Sequence, residues 1–405
     1  MKRTLSYLLM SLAAAGTFTL TAAAQTSTEK SDEYVFTTVK ACEITPVQDQ
    51  ASTGTCWSFS THSFLEAESI RQGGPKLVTA PMYTASMSYK DKARDYVRYH
   101  GNQNFAEGGS FYDVIYAVQH YGIIPMSEMQ GLNYGTKRHN HQELYAITKG
   151  FLDGLVSQMD RRGTLSPVWT KAFDSMIDTY LGVAPKTFTV DGKTYTPESL
   201  RKAMKIDANN YVSLTSYMSQ PLYEPYIIPI PDNWRHSASY NVTLDELMET
   251  IDNAINNGFT IAWGTDVSEP GFTRDGLGIL ADLDLPENAG SDQERWVGAS
   301  DNQRHRMVME RISKPGIKEI EVTPEYRQQG FDTLELTDDH GMLIYGIAKD
   351  QNGKKFYMVK NSWGESGKYK GIWYVTPAFV AGKTMNIAIH KDALPKALRA
   401  KLGLL

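Results

Sequence analysis

A cysteine nucleophile needs a base for its proton, a group that orients that base, and donors for the oxyanion that develops on the attacked carbonyl. Residues Gln50 to Ser58 read Gln-Ala-Ser-Thr-Gly-Thr-Cys-Trp-Ser, so Cys56 stands six positions after Gln50 and directly before Trp57. Far downstream, His340 precedes the strand-like run Gly341 to Ala348, and Asn361 opens the run Asn-Ser-Trp-Gly. Gly54-Thr55 reads as a loop entering a helix at Cys56, where peptide dipoles favour negative charge and lower a thiol pKa. His340 is expected to pair with Cys56 and later protonate the leaving amine. Asn361 is expected to accept from the other ring N–H, with Trp363 covering that bond from water. The Gln50 side chain and the Cys56 backbone N–H would be the oxyanion donors.

The elements that must position these residues are legible in outline. Ser58 to Gln72 interleaves Phe59, Phe64, Leu65 and Ile70 with Glu66 and Glu68, which predicts an amphipathic helix closed by Gly73-Gly74. Further helices are expected over Pro81–Tyr99, Phe111–Tyr121, His141–Gly154, Trp169–Leu181 and Leu244–Asn257. From Thr260 the chain turns strand-like, at Thr260 to Trp263, Gly341 to Ala348, Lys355 to Lys360 and Ile372 to Val375. Asp350 to Gly353 has hairpin-turn chemistry. This is an α+β pattern, helices first and a twisted antiparallel sheet last, with a cleft between two lobes as the natural site.

The chain has 405 residues, a net charge of −5 and no long basic run, which argues against nucleic acid or an anionic membrane surface as a partner. Lys2-Arg3, the apolar run Leu5 to Ala15 and the small residues Ala22 to Ala24 read as a cleaved secretory signal over residues 1–24. The expected location is therefore periplasmic or secreted, with no membrane association after cleavage. The two cysteines, Cys42 and Cys56, are no disulfide framework, and a bond between them would consume the nucleophile. Cys56 is expected as a free thiol and Cys42 as a small buried residue or spare thiol. Gln25 to Lys40 reads as a loose polar arm.

Taken together, Gln50…Cys56-Trp57, His340 and Asn361-Ser362-Trp363-Gly364 resemble the papain family of cysteine peptidases, and more closely its bleomycin hydrolase/aminopeptidase C branch. Glu107-Gly108-Gly109, His120 to Pro125, Trp263 to Val267 and Asp338 to Met342 support that branch. His340 and Asn361 follow Cys56 by 284 and 305 residues, whereas papain-type spacing is about 130–150. The excess falls in the irregular middle of the chain, and the branch carries insertions of this kind.

The resemblance implies a papain-like two-lobed fold, a helical lobe plus an antiparallel β-barrel-like lobe, with a large mostly helical insertion. The expected division is an arm and helical lobe over 25–125, the insertion over 126–257, and over 258–405 a β lobe with a C-terminal tail. It also implies peptide substrates, no cofactor and no metal, substrate contacts from Gly108, Gly109, Trp57 and Trp363, and a hexamer with its sites inside a cavity. Members of the branch end in an arm that lies in the cleft and restricts cleavage to peptide N-termini; the end of this chain is expected to be shorter or different.

Simpler roles stand beside some of these residues. Gly108-Gly109 also fit a turn, Asp339 can simply face water, and Arg138-His139-Asn140-His141 reads as a solvated loop rather than a metal site. Asn241-Val242-Thr243 matches a glycosylation acceptor only by chance. The expected activity is aminopeptidase; the alternatives are a papain-type endopeptidase, a catalytically silent peptide-binding protein and an acyl transferase. N-terminally blocked peptides separate the first two, and thiol-directed labelling separates the third.

Overall fold

Helix α1 (Cys56–Arg71) is the centre of the molecule, and its residues Trp57 to Ser69 are all buried. The sequence pattern predicts an amphipathic helix; instead α1 is enclosed on every side, and short hydroxyls and partnered charges make this tolerable. Ser58 Oγ donates to the Pro81 carbonyl and Thr61 Oγ1 to the Trp57 carbonyl. His62 bridges Thr79 and Thr84 at 2.7 and 2.8 Å, and Glu68 takes a bidentate bond from Arg71. The computed structural model describes residues 33–283 and 301–404, and the expected secretory signal lies outside them.

In chain order, β1 (Thr37–Ala41) is followed by α1, α2 (Pro81–Arg98) and α3 (Phe111–Tyr121). Pro81 opens α2, and a Ser110/Asp113 capping box opens α3. Next come α4 (Gln142–Arg162), α5 (Trp169–Leu181), the hairpin β2 (Phe188–Val190) and β3 (Lys193–Tyr195), then α6 (Pro197–Ala203). Three strands then appear inside the region read as the insertion: β4 (Tyr211–Thr215), β5 (Pro225–Tyr226) and β6 (Ser239–Asn241). They precede α7 (Leu244–Asn256), β7 (Ile261–Thr265) and β8 (Leu277–Gly278). The chain ends with α8 (Asp301–Ile312), α9 (Pro324–Asp332), β9 (His340–Lys349), β10 (Lys355–Lys360), β11 (Ile372–Val375), α10 (Pro377–Lys383), β12 (Thr384–His390) and α11 (Lys396–Lys401).

Strands other than β2 and β3 form one ten-stranded sheet in the order β5-β6-β4-β12-β7-β9-β10-β11-β8, with β1 added on β9. Most pairings are antiparallel, but β4–β6 and β8–β11 are parallel. The loose polar arm expected up to Lys40 is partly this strand β1, which pairs with the far end of β9, Thr37 opposite Lys349. Strand β12 alternates, with Met385, Ile387 and Ile389 between Thr384, Asn386, Ala388 and His390, although it is buried throughout and joins β4 to β7.

The sheet buries one apolar cluster with α1, α2 and α3 and a second with α7 and α10. The described C-terminal residues belong to the second cluster: Leu398 and Leu402 are buried there. Asn253 of α7 donates to the Ala393 carbonyl and Lys401 pairs with Glu246 of α7 at 2.6 Å.

Candidate active site

Two neighbouring strands and one helix bring distant residues together. His340 is the first residue of β9, and Asn361 follows the last residue of the antiparallel strand β10, whose Lys360 lies opposite Leu343. Both therefore lie at the same end of the sheet. The start of α1 rests on that end: a Cβ on Gly341 would stand 3.4 Å from the Trp57 Cα. The same Cβ would stand 2.7 Å from Ser60 Oγ, so any larger residue would push that hydroxyl aside.

Cys56, Trp57, Gly109 and His340 line one cleft, together with Ser60, Asp232, Asp338, Gly341 and Asn386. His340 is 6 % exposed, and its Nε2 lies 2.8 Å from Asn361 Oδ1. The Ser362 backbone N–H donates to the same Oδ1, which fixes that atom as acceptor and makes Nε2 the donor. The other ring nitrogen, Nδ1, is then left as the base. Trp363 lies on the His340 ring with centroids 4.8 Å apart; it is not among the cleft-lining residues.

Gln50 is buried and also absent from the cleft lining. Its Nε2 donates to the Thr53 carbonyl at 2.7 Å and its Oε1 accepts from Ser362 Oγ at 2.6 Å, which ties the loop before α1 to the Asn361 segment. One Nε2 hydrogen remains for an oxyanion. The Cys56 N–H, at the first helical position, has no partner within the helix.

Gly108 and Gly109 have different surroundings. Gly109 packs on the Trp57 indole, whereas a Cβ on Gly108 would stand 2.1 Å from Asp232 Oδ2. Their segment is clamped: Trp57 Nε1 donates to the Glu107 carbonyl, Glu107 accepts from the Gly54 N–H, and Lys92 Nζ donates to the Ala106 and Gly108 carbonyls.

The proton balance differs from the one the helix start alone suggests. Burial pushes the Cys56 thiol up to about 12, and the Asp338 and Asp232 charges add to this; the Gly341 and Trp57 backbone N–H groups oppose it. Burial pulls His340 down to about 4, opposed by the Asn361 bond and the Asp339 charge. In the unliganded cleft the sulfur keeps its proton and the imidazole is neutral, because loss of hydration outweighs the helix-end field. Cys42, the other free thiol, contacts the Phe259 carbonyl at 3.4 Å.

Sequence reasoning missed Asp232, Asp338 and Asn386. Asp338 stands two residues before His340 and carries that signal; Asp232, after a Pro-rich stretch, and Asn386, in the unrecognised strand β12, carry none. His139 and His141, expected in a solvated loop, are 9 % and 0 % exposed and pack on Phe59 and Tyr89. Among the described residues no group of three or more His, Cys, Asp or Glu side chains is arranged to hold a metal.

Residues 320–403 match the Peptidase C1-like family. Over 93 % of its length the chain is 22 % identical to Cysteine proteinase 1, mitochondrial, of Saccharomyces cerevisiae, covering 81 % of that protein. It is also 22 % identical over 86 % of its length to Aminopeptidase G of Lactobacillus delbrueckii subsp. lactis, covering 82 % of it. The crystal structure of PepW from Lactobacillus rhamnosis superposes with a TM-score of 0.65 at 16 % identity, covering 91 % of this chain and 84 % of that one, which establishes a shared fold.

Proposed function

We infer that this papain-like cysteine peptidase, of the bleomycin hydrolase and aminopeptidase C branch, is an aminopeptidase that releases N-terminal residues through an acyl-enzyme on Cys56. The observation that carries the reading is the Nε2–Oδ1 bond of 2.8 Å between His340 and Asn361, which leaves Nδ1 as a base in the cleft that Cys56 also lines. As the sulfur attacks the carbonyl carbon, His340 Nδ1 takes the thiol proton, and the carbonyl electron pair moves to oxygen. Gln50 Nε2 and the Cys56 N–H are the donors proposed for that oxygen. Collapse breaks the C–N bond, and His340 delivers its proton to the leaving amine. Water then attacks the thioester with His340 as base, which frees the amino acid and restores the thiol.

Cys56→Ala tests this with an aminoacyl fluorogenic substrate: turnover should vanish while thermal stability holds, and retained turnover rejects the mechanism. Endopeptidase action is the second reading of the same cleft lined by Cys56 and His340. Cleavage of N-terminally blocked peptides at rates like those of free ones decides for it. Lys2-Arg3, the apolar run and Ala22 to Ala24 support export, so we place the mature enzyme in the periplasm or outside the cell. A homohexamer is the assembly that the branch suggests; sedimentation tests it.

A further inference from the structure

The cleft beside Cys56 contains two carboxyl groups, Asp232 and Asp338, neither of them in an ion pair among the described residues, although the Lys92 charge opposes the upward shift of Asp232. Asp338 makes no hydrogen bond or ion pair among the described residues, and only the Asp232 and Asp339 charges act on it besides burial. Asp232 receives one long bond, 3.3 Å, from Asn104 Nδ2. The nearby ammonium of Lys92 is engaged by the Ala106 and Gly108 carbonyls and forms no ion pair with it.

A third polar group points to a ligand independently. Asn386, on β12, is 6 % exposed and lines the cleft, yet its side chain has no hydrogen-bond partner among the described residues. Its Oδ1 stands over Gly264, 2.6 Å from the place of a Cβ there. Its Oδ1 and Nδ2 open to the cleft rather than being sealed in protein, so a group bound there can reach them. Two carboxylates and an amide oxygen together form an acceptor set for a group with several N–H donors and a positive charge.

The loop that brings Asp232 is held firmly enough to serve as a wall. Arg235 binds Asp113 and Asp91 at 2.8 and 2.9 Å, and Asn233 bonds the Ile228 and Ser237 carbonyls. Gln103 Nε2 donates to the Trp234 carbonyl at 2.9 Å.

We propose that Asp232, Asp338 and the Asn386 side-chain oxygen receive the free α-ammonium group of the peptide substrate. This rests on the aminopeptidase reading above, which requires an ammonium within one residue of the carbonyl that Cys56 attacks. The arrangement also couples binding to chemistry: the Asp232 charge, and that of Asp338 once it gives up its proton to the ammonium's field, oppose ionisation of Cys56, so a bound ammonium relieves that opposition when the sulfur must lose its proton. An unprotonated N-terminus or an acylated one gives no such relief.

The test compares norleucyl and lysyl coumarylamides, each free and N-acetylated, on the wild type, Asp232→Asn, Asp338→Asn and the double variant. The double variant should lose most of the wild type's preference for the free norleucyl substrate, through a KM raised roughly tenfold or more with a smaller change in kcat. The lysyl-to-norleucyl ratio should stay constant. A preference for free substrate that survives in the double variant overturns the proposal. So does a collapse of the lysyl-to-norleucyl ratio instead, which would assign the acids to a side chain. Binding of norleucine amide against N-acetylnorleucine amide to the Cys56→Ala protein, with and without the two Asn substitutions, makes the same discrimination without turnover. A wild type that cleaves blocked and free substrates alike removes the aminopeptidase reading itself, an outcome distinct from selectivity that merely resists the substitutions.

Discussion

Ser60 Oγ lies 2.7 Å from the point where a Cβ on Gly341 would stand. Helix α1 and strand β9 therefore meet where a methyl group would displace the Ser60 hydroxyl, next to both the sulfur and the imidazole. Gly341→Ala should part them, costing about 1–3 kcal/mol of stability and a larger share of kcat. Denaturant unfolding and steady-state kinetics on the same preparation measure the two losses; an unchanged kcat would mean the contact does not set the Cys56–His340 geometry.

Asn361→Ala should lower kcat by about a hundredfold by letting the His340 ring turn. It should also shift the acid limb of kcat/KM. His340 lies near 4 because burial lowers it and the Asn361 bond partly raises it, so losing that bond moves the limb to lower pH. A limb that moves upward would contradict the donor role assigned to Nε2.

Asp338 gives a stability signature of its own. Burial, with the Asp232 and Asp339 charges, raises its carboxyl to about 8, so the folded state holds a proton that the unfolded chain releases near the ordinary aspartate value. The resulting stability is complete below that ordinary value and is lost as pH rises through about 8. Asp338→Asn should therefore melt at a higher temperature than the wild type at pH 9 and show a shrinking advantage toward pH 4. Calorimetry across that range checks the sign.

Below the site, Glu66 accepts from the Thr79 N–H and Oγ1, both at 2.7 Å, and from Thr45, while Lys360 Nζ donates to Thr45 at 3.0 Å. Burial pulls Lys360 down to about 8, opposed by the Glu66 charge. Glu66→Ala leaves these groups buried without an acceptor and should cost about 3–5 kcal/mol. The paired change Glu66→Gln with Lys360→Met should cost much less, since neither charge is stranded. Chemical denaturation of both variants tests the difference.

Local pattern and residue chemistry were enough to find most elements. Phe111–Tyr121, Trp169–Leu181, Lys355–Lys360 and Ile372–Val375 are the spans that the structure has, and α7 and α2 differ from expectation by one terminal residue each. The chemistry-bearing residues were legible because each carried a local mark: Cys56 a Trp after it, His340 a strand after it, Asn361 the run Ser-Trp-Gly. Helix α1 defeated the periodicity argument because burial on all sides removes the polar face from which amphipathicity is read. Strands β4 and β12 carry a period-two pattern, Val212 and Leu214 in one and Met385, Ile387 and Ile389 in the other, but each is too short for that pattern to stand out in the irregular segments around it.

The order of residues along the chain thus determined which side chains could do chemistry and which elements would carry them. Only the tertiary structure decided the charge around them. Asp232 comes from a loop after a Pro-rich stretch, Asp338 from the approach to β9 and Asn386 from β12, and no spacing rule connects the three. Their proximity follows from long-range contacts of strands and loops, which also bury His340 and half-bury Cys56, so that desolvation and neighbouring carboxylates outweigh the helix-end field that local sequence alone suggests.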